Sequence, residues 1–123
     1  MSGNKFLLDT NTILYLLGGK LNPQNLPDGK LIISFINELE LLSYPHLSKV
    51  EEIKIKKFID DIDVFNLTDE IKVETIRLRK KYNIKLPDAI ICATALSQNA
   101  ALITFDENLN KIKELKILKL EYR

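Results

Sequence analysis

A chain of 123 residues, 46% hydrophobic and 28% charged, can bury one core without staples and is too apolar for disorder. Its 18 Lys and Arg against 17 Asp and Glu leave a formal charge of only +1, so no basic excess marks a duplex-binding surface. One cysteine, Cys92, and one histidine, His46, exclude an internal disulfide and a thiolate zinc site, and the chain reads as one intracellular, cytoplasmic domain spanning 1–123.

The apolar run Phe6-Leu7-Leu8 predicts a buried strand, and Asp9-Thr10-Asn11-Thr12 then supplies cap-type residues for a helix over Ile13 to Leu17 that Gly18-Gly19 stops. This leucine-rich stretch is not expected to be a signal peptide, because Asp9 and Asn11 interrupt it and no small-residue cleavage site follows. No apolar run approaches the roughly 20 residues that span a bilayer. The segment 20–30 holds Pro23, Pro27 and Gly29 and reads as a loop, followed by a second strand, Leu31-Ile32-Ile33. Ser34 can cap a helix from Phe35 to Ser43, ended by Pro45. Leu47 to Ile59 predicts a surface helix whose buried stripe is Val50, Ile53 and Phe58. A short third strand is expected over Asp63 to Leu67.

After Thr68, a cap-type residue, Ile71, Thr75, Leu78 and Tyr82 recur at i, i+4, i+7 and i+11, a helical stripe. Asn83 to Leu86 is a break. Pro87-Asp88 opens a helix over Ala89 to Ser97 that is apolar on nearly every face and therefore central. Ala101 to Thr104 reads as a fourth strand and Ile117 to Leu120 as a fifth, at an edge. Strands alternating with helices predict an α/β fold, a three-layer α/β/α sandwich with a mainly parallel sheet of about five strands and right-handed crossovers.

In such sheets the ligand crevice lies beyond the carboxyl ends of the strands. Asp9 ends strand one, Asp106 follows strand four by one residue, and Asp88 stands in the first turn of the helix leading back into strand four, so topology brings three acids to one edge. Glu40 lies about 9 Å along its helix from Ser34, at 1.5 Å per residue, and Glu38 competes with it; periodicity does not separate the two. Converging carboxylates repel one another and would destabilise an empty site. Mg²⁺ or Mn²⁺ would remove that cost, since both prefer oxygen ligands and the chain offers no useful His or Cys. Phosphodiester hydrolysis is the reaction such a site suggests, one ion activating water and a second, if present, steadying the leaving oxygen.

Four runs, Phe6-Leu-Leu-Asp9-Thr-Asn11, Ile33-Ser-Phe-Ile-Asn37-Glu-Leu-Glu40-Leu-Leu, Leu86-Pro-Asp88-Ala-Ile-Ile-Cys-Ala-Thr-Ala and Leu102-Ile-Thr-Phe-Asp106, resemble the PIN-domain ribonucleases, in particular the VapC-type toxins of toxin-antitoxin pairs. The likeness covers essentially the whole chain, and four runs in order and at the right spacing are far more specific than any one. It implies a PIN-like sandwich, Mg²⁺- or Mn²⁺-dependent endoribonuclease activity, an RNA substrate, a cognate antitoxin and a homodimer. It also implies that Asp9, Glu40, Asp88 and Asp106 are the catalytic, metal-binding acids, with Asn11 and Thr104 in support, and it favours Glu40 over Glu38 because the family's acid precedes a Leu pair. Phe105 departs from the Arg or Asn commoner before the last acid.

Each acid alone has an ordinary reading: Asp9 as an N-cap, Asp88 as a first-turn residue favoured by the helix dipole, Asp106 in a turn, Glu40 as a solvated helix acid. The joint pattern is what those readings do not explain. Cys92 reads as a small core residue, His46 as a loop residue, and the basic stretch Arg77, Arg79, Lys80, Lys81 and Lys85 as a solvated surface that could also meet RNA phosphates. Two related alternatives keep the fold: a PIN-related nuclease acting on DNA or nucleotide ends, and a non-catalytic PIN module. A receiver-type phosphoacceptor domain is rejected, because Asp9 stands alone after strand one and strand three ends at Phe65-Asn66.

Overall fold

The structure is a computed structural model that describes residues 4–121, so both ends of the expected 1–123 unit lie outside the described residues. Five strands, β1 (Lys5–Leu8), β2 (Lys30–Ser34), β3 (Asp63–Phe65), β4 (Ala101–Ile103) and β5 (Ile117–Leu118), alternate with helices α1 (Thr10–Leu17), α2 (Phe35–Leu42), α3 (Lys49–Asp60), α4 (Asp69–Lys81) and α5 (Leu86–Ser97). The strands pair in the order β3-β2-β1-β4-β5, and every pairing is parallel.

Side chains alternate across a strand, and that alternation builds two cores. Leu7, Ile32 and Leu102 point to one face, where they pack with Ile71 and Leu78 of α4 and with Ala89, Ile91 and Cys92 of α5. Their neighbours Leu8, Ile33 and Ile103 point to the other, with Ile13 of α1, Leu41 of α2 and Ile55 of α3. The sheet is therefore covered on both faces, and its short apolar strands read as continuous runs for that reason. The helix α5, apolar nearly all round, is central as expected, with Ala89 and Cys92 to Ala95 all buried.

Caps place the helix starts. Asp9, Ser34, Ser48 and Thr68 each accept a hydrogen bond from a first-turn N–H, and Ser34 with Asn37 forms a reciprocal capping box. The loop before β2 carries Gly29 at φ +149°, where a Cβ would stand 2.5 Å from the Asn4 carbonyl oxygen, so only glycine lets β1 and β2 begin side by side.

Three strands are shorter than expected at their carboxyl ends, β3 stopping at Phe65 rather than Leu67, β4 at Ile103 rather than Thr104, and β5 at Leu118 rather than Leu120, whereas β2 runs one residue past Ile33 to Ser34. The helix α3 corrects a larger expectation. Val50 and Ile53 are 73% and 67% exposed, whereas Ile55 is buried, and the stripe that meets the core is Ile55, Phe58, Ile59 and Ile62. Ile55, Phe58 and Ile59 fall at i, i+3 and i+4, an equally regular helical face, and Ile62 follows just beyond the end of α3. Both faces of α3 carry apolar residues, and only the packing of its second half against the sheet selects between them.

Candidate active site

The carboxyl ends of β1 and β4 are adjacent, and this juxtaposition brings the first pair of acids together. The Asp9 N–H donates to the Ile103 carbonyl at 3.2 Å, and the Thr12 hydroxyl donates to the same carbonyl at 3.0 Å, tying the opening of α1 to the end of β4. Asp9 is buried. Its Oδ1 accepts from the Thr12 N–H at 2.9 Å, and its Oδ2 accepts from the Thr104 hydroxyl. The Thr104 oxygen in turn accepts from the Asp106 N–H at 3.0 Å. Thr104 thus links the two acids, and Asp106 caps the short 3₁₀ turn that follows through the Asn108 N–H at 3.0 Å.

Glu40 reaches the same place because α2 lies across the edge of the sandwich. Ile36 packs into the α4–α5 core and Leu41 into the α1–α3 core, so the helix bridges both layers at the strand ends and its second half overhangs the crevice. The Glu40 Oε1 accepts from the Thr10 hydroxyl at 2.5 Å. Asp88, in the first turn of α5, completes the wall. Asp9, Glu40, Asp88 and Asp106 line one cleft of about 140 Å³ together with Thr10, Asn11 and Tyr44; Thr104 stands beneath it. Each sequence-nominated residue is therefore at or beside one cleft.

The charges are crowded. Burial holds the Asp88 carboxyl above the usual carboxylate range, and the neighbouring charges of Asp106, Glu40 and Asp9 push it further up, against a smaller opposing effect of Lys85. Burial raises the Cys92 thiol to about 12, with Asp88, Asp9 and Asp106 adding to the shift, which keeps it a protonated core residue rather than a nucleophile. The oxygen-only donor set suits a hard cation such as Mg²⁺ or Mn²⁺ and not zinc. Among the described residues no three Asp, Glu, His or Cys side chains already close round a single point, an arrangement compatible with Mg²⁺, which takes one or two carboxylates and fills its shell with water.

A sequence model described as the PIN domain matches residues 6–115. The chain belongs to the PIN domain family. Compared with solved structures, this PIN domain is similar to a chain of VapBC2 from Rickettsia felis bound to a fragment of promoter DNA, with TM-score 0.84 and 20% identity over 95% of this chain and 99% of that one. It is likewise similar to a chain of VapBC-1 from nontypeable Haemophilus influenzae, with TM-score 0.77 and 27% identity over 94% and 97% of the two chains. A chain of a toxin-antitoxin complex from Klebsiella pneumoniae matches with TM-score 0.76 and 27% identity over 91% and 94%. No curated protein matches by sequence.

Thr10, Asn37 and Tyr44 belong to the site and are not among the nominated residues. Thr10 accepts from the Asn37 amide at 3.0 Å while donating to Glu40, and the Asn37 carbonyl oxygen accepts from the Ser34 N–H at 2.7 Å. A relay of hydrogen bonds thus runs from the end of β2, through the cap of α2 and the first turn of α1, to Glu40. Asn37 and Thr10 are both buried in this PIN domain. Their signal in the sequence was the Ser34-x-x-Asn37 spacing of a capping box, which explains Asn37 locally and hides its second bond. Phe105 packs against Tyr15, ring centroids 5.2 Å apart, so the residue departing from the family pattern belongs to an aromatic pair.

Proposed function

We propose that the protein is a metal-dependent endoribonuclease, acting in the cytoplasm as the toxin of a toxin-antitoxin pair, with residues 1–123 forming a single nuclease domain. The observation that carries this reading is the convergence of Asp9, Glu40, Asp88 and Asp106 on one cleft at the carboxyl edge of a parallel sheet. Asp9 and Asp88 would be the principal ligands of Mg²⁺ or Mn²⁺, with Glu40 and Asp106 completing the set directly or through water. A divalent cation bound there supplies the positive charge that lowers the pKa of the attacking water and offsets charge on the leaving oxygen.

The chain's own residues do the positioning. Thr12 and Thr104 hold both oxygens of Asp9, so the acid at the centre of the cleft keeps one orientation. Thr10 does the same for one oxygen of Glu40. Asn11 is exposed at the cleft wall, where its amide can reach substrate or water. Burial and the neighbouring acids disfavour the charged form of Asp88, a cost that a bound cation would offset.

The toxin role draws support from the toxin-antitoxin complexes that this chain resembles in fold. Exposed apolar side chains at Leu39, Val50, Ile53, Val73 and Ile76 offer surface that a cognate antitoxin and a second copy of the chain would cover. The test is cleavage of single-stranded RNA by the purified protein. Cutting is expected with Mg²⁺ or Mn²⁺, is expected to stop with chelator, and is expected to fall at least 100-fold in Asp9→Asn, since removing a metal ligand removes transition-state stabilisation of about 3 kcal/mol or more. Equal cutting by Asp9→Asn would overturn the assignment.

A further inference from the structure

The basic stretch at the end of α4 divides in the folded chain. Arg77 bonds Glu74 at 2.6 Å and Glu114 at 2.7 Å, and Lys81 pairs with Glu114 at 3.4 Å, so these two cations are neutralised on the side facing β5. Arg79 and Lys85 are placed differently. Both line a cavity of about 440 Å³ that shares Asp88 and Asp106 with the acid cleft and is completed by Asn83 and Asn108. Its volume lies within the roughly 300–1,000 Å³ of ligand sites.

The two cations are available there. Arg79 donates only its Nε, to the Ile84 carbonyl at 3.3 Å, a bond that fixes the guanidinium while leaving its terminal nitrogens unengaged among the described residues. Lys85 makes no hydrogen bond or ion pair among them. A cavity lined by two cations beside two acids matches a polyanion whose one phosphate lies by the acids and whose next phosphate lies by the cations.

We propose that this cavity is a nucleotide subsite of the nuclease, in which Arg79 and Lys85 hold the phosphate adjoining the scissile one in single-stranded RNA. The proposal rests on the nuclease reading and deepens it. Arg79, anchored by its own backbone contact, presents two parallel N–H groups to phosphate oxygens, and Lys85 adds a point charge at the mouth shared with Asp88. Asn83 and Asn108 also line the cavity, and an amide side chain can pair with the edge of a base. The near-neutral net charge is then no obstacle to binding RNA, because two of the cations are concentrated beside the cut.

The test uses the full chain. Binding of a fluorescein-labelled single-stranded RNA is measured by anisotropy on the Asp9→Asn background with Mg²⁺, over a range of salt, for Arg79→Gln, Lys85→Gln and, as control, Lys30→Gln. Lys30 pairs with Asp63 at 2.6 Å at the amino edge of the sheet, away from the cleft. Each of the first two variants is expected to weaken Kd about tenfold, the size of one charge-assisted hydrogen bond, and to lower the salt slope by about 0.7 per lost phosphate contact. Lys30→Gln is expected to change neither. In the otherwise native chain, Arg79→Gln and Lys85→Gln should raise KM for cleavage with kcat largely kept, while thermal melting checks that each variant folds. Unchanged Kd, slope and KM with cleavage intact would overturn the subsite alone. Absence of cleavage by the native chain would overturn the nuclease reading and the subsite with it.

Discussion

Thr10 shows how one hydroxyl can serve two neighbours, since it donates to Glu40 and accepts from Asn37. Thr10→Val keeps the side chain's shape and removes both bonds, leaving a buried amide unpaired and Glu40 free to turn. Loss of such a supporting partner costs roughly 10–100-fold in metal affinity or activity. Thr10→Val is expected to lose cleavage in that range, with partial recovery at high Mg²⁺, read from a metal titration of the rate. Asp88 carries the opposite relation between stability and function. Burial and three neighbouring acids raise its pKa in the folded chain, so its ionisation destabilises the fold; the contribution of this one group is most favourable below the ordinary carboxylate range, near pH 4, and is lost as pH rises through the elevated folded value. Without added metal, Asp88→Asn is therefore expected to melt higher than the native chain at pH 7, and the difference should vanish as pH falls below about 4. Added Mg²⁺ should raise the native melting temperature more than that of the variant.

Helix α3 marks the limit of periodicity as a guide to elements. Val50 and Ile53 fit a stripe with Phe58 on paper, yet Ile55, Phe58, Ile59 and Ile62 are the residues against the sheet. The two choices have distinct energetic signatures. Ile55→Ala should cost about 2–5 kcal/mol as a buried large-to-small change, while Ile53→Ala on the exposed face should stay within about 0.5 kcal/mol; urea unfolding of both variants measures the contrast. The helices α1, α2, α4 and α5 were legible because their caps and breakers agree with their apolar faces: Asp9 and Gly18, Ser34 and Pro45, Thr68 with the 71-75-78 stripe, and Pro87. Strand ends were less so, since an apolar residue such as Leu67 or Leu120 can follow a strand without pairing in it.

Across the whole molecule, Glu114 joins α4 to the segment entering β5. It accepts from the Tyr82 hydroxyl at 2.5 Å and from Arg77 at 2.7 Å, and these bonds, the first the larger cause, bring its carboxyl down to about 2. A depressed carboxylate stabilises the fold above its ordinary pKa and loses that contribution as pH falls towards the folded value. The native chain should accordingly lose stability between about pH 4.5 and 2 through this contact, and Glu114→Gln should flatten that part of the profile, as followed by melting temperature against pH. The contact is exposed, so the effect is expected to be modest and to shrink with salt.

What the sequence by itself determined is the alternation of strands and helices, the parallel sheet, and the placing of Asp9, Asp88 and Asp106 at one edge, because each follows from local caps and apolar runs joined by the handedness of parallel crossovers. Glu40 was nominated through a resemblance, and its position depends on how α2 leans over two cores at once, a packing result that no spacing along the chain contains. The same holds for the Ser34–Asn37–Thr10–Glu40 relay and for the separation of Arg79 and Lys85 from Arg77 and Lys81. Hydrogen bonds and ion pairs between residues 27 to 37 positions apart exist only once tertiary packing has brought their elements together.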